Sequence, residues 1–112
     1  MYPVKHASVN AAADGVNEII AAIAGKSIVV LGYTLTCTVS SPSQALKGNF
    51  EDGAGTPVVH GVFFASDLAF PAPLSYVGNW EAPAFEVAIG EPLNIRNGTG
   101  VDTVGHITYM LR

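Results

Sequence analysis

The stretch DGVNEIIAAIAGK, residues 14–26, decides the fold. Val16, Ile19, Ile20 and Ile23 stand at i, i+3, i+4 and i+7, the apolar stripe of an amphipathic helix. Asp14 is placed to cap such a helix and Gly25 to end it. Against this, the segment offers under about three turns, which is marginal without tertiary packing. Ile19, Ala21 and Ile23 also alternate, as a strand would require. Gly25-Lys26 then leads at once into SIVVLGYTLTCTVSS, and a tight glycine connection there suits a hairpin. Local physics leans slightly to the helix, and the flanking sequence does not.

Outward from this stretch the chain reads as strands. Tyr33, Leu35, Cys37 and Val39 fall on one face of SIVVLGYTLTCTVSS, with Thr34, Thr36 and Thr38 on the other. Pro42 breaks the run, since it has no N–H for a ladder. ALKGNFE puts Leu46 and Phe50 on one parity, and DGAGTP reads as a loop. VVHGVFFA is the next strand. Pro71 and Pro73 confine any following strand to residues 74–77. WEAPAFEVAIG sets Phe85, Val87 and Ile89 on one face, with Glu86 facing outward, and Gly90 ends it. EPLNIRNG aligns Leu93 with Ile95, and VDTVGHITYMLR is a last strand interrupted only by Gly105. Short strands separated by turn signals about every ten residues indicate a β-sandwich or barrel.

The chain has 112 residues, one domain's worth, and can build a core without staples. Charged residues are 12% against a usual quarter or so, and apolar ones are 49%. So lean a surface is either neutral and polar or covered by other subunits. Lys5, Lys26, Lys47, Arg96 and Arg112 are scattered and the net charge is -4, so nucleic acid and anionic membrane are not expected partners. Residues 28–31 form the longest apolar run, far too short to span a bilayer, and the first ten residues lack a signal-peptide core. Synthesis in the cytoplasm is expected. Those ten residues are either an N-terminal arm or the first strand of a domain covering residues 1–112.

No catalytic constellation is apparent, and neither an enzyme nor a cofactor is expected. Cys37 is alone and flanked by strand formers, so it reads as a small buried hydrophobe. His6, His60 and His106 are not in metal-binding register, and no metal site is expected. Glu51 and Asp52 lie together at a loop mouth, where acids are usually solvated; Glu81, Glu86 and Glu91 are spread out. Asn97-Gly98-Thr99 fits a glycosylation sequon and equally an ordinary turn. The loop aromatics Phe70, Tyr76 and Trp80 suit either contact anchors or plugs at the end of a sandwich. With Tyr2 and Pro3 of the first segment, they are the candidate interface residues.

In order, IIAAIAGKSIVVLGYTL, GAGTPVVHG, VGNW and AIGEPLNI resemble a pattern in small tailed-bacteriophage virion proteins, jelly-roll capsid decoration (cement) proteins among them. Those chains carry an apolar ramp into a Gly-Lys turn, a strand of K-x-I-x-V-L-x-Y type, G-T-P-L-x-G, a Gly-Trp-like turn and G-E-x-L-N-L. This chain departs from them at Asn79, which separates Gly78 from Trp80. The resemblance implies that residues 17–24 are a strand and that the fold is an all-β, single-domain jelly-roll sandwich of about eight antiparallel strands. It further implies a structural protein on the capsid surface of the virion, bound to the major capsid protein and to itself, with a homotrimer favoured over a dimer. A tail or fibre module and a glycan-binding jelly-roll module are the alternatives.

Overall fold

The computed structural model describes residues 2–39, 46–53, 58–65 and 72–112. No helix occurs among them. Nine strands follow in order: β1 (Lys5–Ala11), β2 (Gly15–Ile20), β3 (Ile28–Val39), β4 (Leu46–Asp52), β5 (Val58–Ala65), β6 (Ala72–Tyr76), β7 (Phe85–Glu86), β8 (Leu93–Asn97) and β9 (Val101–Leu111). One sheet has the order β1-β9-β3-β6, with the two-residue β7 also against β3; the other has the order β2-β8-β4-β5. Every pairing is antiparallel. Only β4 and β5 are both consecutive in the chain and neighbours in a sheet. The other connections pass from one sheet to the other, save that β6 and β7 both lie against β3. This is a jelly-roll sandwich of eight main strands.

The opening segment resolves as a strand, but a shorter one than expected. β2 ends at Ile20, and residues 21–24 are not strand. Nor is the Gly25-Lys26 connection a hairpin, because β2 pairs with β8 while β3 pairs with β9, β6 and β7. The link crosses between sheets through a turn in which Lys26 N–H donates to the Ile23 carbonyl at 3.1 Å and Gly25 takes φ 76°. The residues that suggested a helix serve turns instead. Asp14 Oδ1 accepts from Gly100 N–H at 2.9 Å, tying the β1–β2 turn to the β8–β9 turn. The supposed helical stripe is not a buried face, since Val16 and Ile23 are exposed while Ile20 is buried.

The core lies between the sheets. Leu35, Phe50, Val87, Leu93, Ile95, Val101 and Ile107 are essentially inaccessible there. Each such aliphatic or aromatic side chain is worth roughly 1.5–3 kcal/mol of burial. Phe50 sits 5.0 Å, ring to ring, from both Tyr33 and Phe85 in tilted geometry, a favourable arrangement of aromatic quadrupoles. Leu35 and Cys37 point inward and Tyr33 packs on the core edge, as their alternation predicts. Ile89 does not join Phe85 and Val87: it is 70% exposed. β7 stops at Glu86, and the chain turns through Gly90 at φ 80°, which carries Ile89 out of the pleat. Val39 has a side chain outside the described residues.

A bulge in β3 changes the facing of the best strand. Its register against β9 slips between Val30 and Gly32. Ile28 and Val30 therefore join the inner core along with Leu35 and Cys37, although their parities differ. Val29 and Leu31 are thrown to the outer face, where they form a second buried cluster with Met110 of β9. Residues 28–31 are thus buried on both faces, which accounts for a run with no polar member.

Candidate docking face

The outer cluster is the floor of an apolar groove. Leu31, Thr108 and Met110 form the base, and Tyr2 and Val4 line it along with Gly78, Asn79, Trp80 and Arg112; it holds about 600 Å³. The strand register explains why the first residues reach it. Lys5 pairs with Tyr109 and His6 with Thr108, so continuing the alternation places Val4 and Tyr2 on the outer face beside the end of β9. Of the ten residues read as arm or first strand, Lys5 to Asn10 belong to β1, and residues 2–4 run on toward the groove.

Trp80 is held by a turn. Asn79 and Ala82 form an isolated antiparallel bridge. The Asn79 side-chain oxygen accepts from the N–H groups of Glu81 at 2.9 Å and Ala82 at 3.1 Å. An Asx arrangement of this kind stabilises a tight turn, and here it carries Trp80 at its tip, 58% exposed. Asn79, which interrupts the Gly-Trp pattern, is thus the residue that fixes the turn. Gly78 permits its approach: a Cβ there would lie 2.6 Å from the Leu31 carbonyl oxygen.

Tyr76 is partly a strut. Its ring stacks on Tyr33 at 6.1 Å and 28°, and its hydroxyl donates to the Ala82 carbonyl at 3.3 Å. Tyr33's own hydroxyl is pushed up in pKa by burial and then by Tyr76. Tyr76 also lines a smaller depression of about 230 Å³, with Val77, His106 and Thr108. Val77 is almost fully exposed, and Val104 is exposed on the same strand as Thr108 and Met110. Of the candidate interface residues, Tyr2 and Trp80 both line the groove, Pro3 is exposed between two groove-lining residues, and Tyr76 borders the neighbouring depression. Phe70 lies outside the described residues. Val4, Leu31 and Met110 were not anticipated. The unbroken apolar run of residues 28–31 was the available signal, because a strand buried on both faces needs cover on both.

Charge is sparse on this face. Arg112, at the groove margin, is engaged by Glu86 in an ion pair. His6 and His106 are exposed on neighbouring strands, opposite Thr108 and Ser8 respectively, and His6 Nδ1 lies 3.3 Å from Thr108 Oγ1. His60 belongs to β5 of the other sheet, and its side chain is outside the described residues. Among the described residues no group of three or more histidines, cysteines and acids is arranged to hold a metal ion.

The acidic pair differs from expectation. Glu51 and Asp52 are buried in β4, each 4% exposed, rather than solvated at a loop. Glu51 lies directly opposite Asn94 and next to Arg96 on β8. Arg96 Nε donates to Glu51 Oε1 at 2.7 Å and Asn49 Nδ2 donates to the same oxygen at 2.9 Å. Burial alone pushes the Glu51 carboxyl up, but these hydrogen bonds and the guanidinium charge together hold it below its ordinary value. The arrangement is a paired structural carboxylate on β4. Cys37 is buried, its thiol pushed up by burial against the opposing hydrogen bond of Thr103, 3.7 Å away. A thiol so placed is a poor nucleophile. Asn97 is buried with its amide bonded to the Ala11 carbonyl at 2.6 Å, so the sequon is part of a closed turn.

Comparison with protein families and with curated proteins finds no match.

Proposed function

We propose that the protein is a structural virion component: a capsid decoration protein that binds the outer surface of an assembled phage head and clamps neighbouring major capsid subunits. It would be made in the bacterial cytoplasm and act on the virion surface. The observation that carries the reading is the apolar groove on the outer face of the β1-β9-β3-β6 sheet, with Tyr2, Val4 and Trp80 exposed around it. Contiguous exposed apolar surface on a small protein marks a contact site. Its mechanism would be mass action, since a protein that binds only the assembled shell stabilises it. Symmetry-repeated weak contacts would add through multivalency. Self-association as a homotrimer or dimer is expected alongside this reading and is not required by it.

The test is to strip the protein from particles that carry it, then measure their melting with and without re-addition of wild-type or Trp80→Ala protein. Restored melting with wild type and not with the variant supports the clamp. Equal melting at saturating wild-type protein removes it. A tail or fibre location would appear as binding confined to tails. A second reading is favoured by the same groove: Tyr2 and Trp80 are both exposed along it, and aromatic rings so placed can stack on a sugar. A glycan-binding module would show saturable binding to soluble oligosaccharides in the absence of any shell.

A further inference from the structure

We infer that β1 is a pairing edge for a second copy of this chain, so that two molecules join across a two-fold axis by antiparallel β1–β1 pairing. Among the described residues the sandwich has four sheet edges: β1 and β6 in one sheet, β2 and β5 in the other. Exposed edges invite unwanted pairing, and proteins blunt them with bulges, prolines and short strands. Three of these edges are blunted. β2 is bulged at Ile19, where the register with β8 slips between Glu18 and Ile20. β5 is bulged at His60, between the partners of Phe50 and Glu51. β6 is five residues long and contains Pro73. β1 has none of these features: it keeps seven consecutive pairs with β9, with no slip and no proline.

The sequence of β1 tolerates its own reflection. An antiparallel pair centred on Ser8 sets Ser8 against Ser8 of the second copy, and Lys5, the strand's only formal charge, against Ala11. No like charges meet. The pairing also preserves the faces: inward-facing Ala7 meets inward-facing Val9, and outward His6 meets outward Asn10. β2 lies over β1 at the same side of the sandwich, so its exposed Val16 would approach the second copy as well. A seven-residue strand is about 24 Å long, and the shortest extent of the molecule is 18 Å. A side wall of that size falls at the low end of specific interfaces, where pairs are weak and reversible. An edge pair has two-fold symmetry, which makes the solution species a dimer rather than a trimer. The inference stands apart from the shell-binding reading, because the groove lies toward the Arg112 end of β9 and is not used.

Sedimentation of the whole protein from about 1 to 100 μM, the range of weak pairs, should show a monomer–dimer equilibrium. Ser8→Lys, at an exposed position, should weaken the dimer about two- to fivefold by setting two like charges face to face. Ser8→Cys should give a disulfide-linked dimer on treatment with diamide, since paired strands hold Cα atoms within bridging distance. Val104→Cys, exposed on the interior strand β9, should not. A monomer throughout, a trimer, or a dimer that Ser8→Lys leaves intact would overturn the proposal. Shell binding by a protein that stays monomeric would overturn it while leaving the decoration reading standing.

Discussion

Thr103 Oγ1 donates a hydrogen bond to Asn97 Oδ1 at 2.9 Å, with both residues buried and on strands of opposite sheets. Asn97 in turn donates to the Ala11 carbonyl at 2.6 Å and the Ala13 carbonyl at 3.2 Å. One amide thus joins β8 to β9 and to the end of β1.

Asn97→Ala should therefore cost more than its volume suggests. It leaves the Thr103 hydroxyl and the Ala11 carbonyl without that partner, at about 1–3 kcal/mol for each buried group so stranded. Thr103→Val keeps the shape but strands the Asn97 oxygen and removes the weak 3.7 Å contact with Cys37, so its loss should be about 1–3 kcal/mol. Urea denaturation of the two variants should rank Asn97→Ala as the less stable.

Gly105→Ala should abolish folding. A Cβ at this position would lie 2.0 Å from the Thr34 carbonyl oxygen, at φ 147° in the middle of the sheet. Backbone cannot retreat there as a side-chain tip could, because Thr34 of β3 is itself paired with His106 of β9 and with Ser75 of β6. A soluble variant with an unchanged melting temperature would refute this placement.

Leu35→Ala should cost roughly 2–5 kcal/mol, the range for a fully buried leucine. Ile89→Ala, at a 70% exposed site, should change stability by less than about 0.5 kcal/mol. Equal losses for the two in denaturant titrations would mean that the strand containing Phe85 runs on past Glu86.

Acid should expose the Glu51–Arg96 pair. The Glu51 carboxyl is held below its ordinary value of 4.5 in the folded protein. Its contribution is therefore full above that pH and is lost as pH falls through the lower folded value. The stability difference between wild type and Glu51→Gln should be largest near neutral pH and shrink as the pH falls below 4.5. A difference independent of pH would show that the charge is immaterial.

Much of the β-structure was legible because period two is robust where a strand is regular. Leu93 with Ile95, and Leu35 with Cys37, face inward as their spacing requires. The failures occur where the backbone breaks that period. The β3 bulge swaps the faces of residues 28–31, and the Gly90 turn carries Ile89 outward. The segment of residues 14–26 misled because its apolar residues serve different ends. Ile20 enters the core, whereas Val16 and Ile23 remain exposed. The candidate groove was partly legible: loop aromatics pointed to Trp80 and the first segment to Tyr2, but the floor made by Leu31 and Met110 depends on a bulge whose one local sign is the unbroken apolar run of residues 28–31. The burial of Glu51 was hidden for another reason, since its partner Arg96 lies 45 residues away along the chain.

The position of β9 has a consequence for biogenesis. Of the nine strands, residues 101–111 are made after the other eight, yet they lie between β1 and β3. Until they leave the ribosome, β1 has no neighbour in its sheet and β3 lacks its longest one. At about 5–20 residues per second the chain waits for seconds with these edges open. The sandwich therefore cannot be assembled stepwise from its N-terminus. The β1-β9-β3-β6 sheet is complete only once β9 has entered between two strands made well before it.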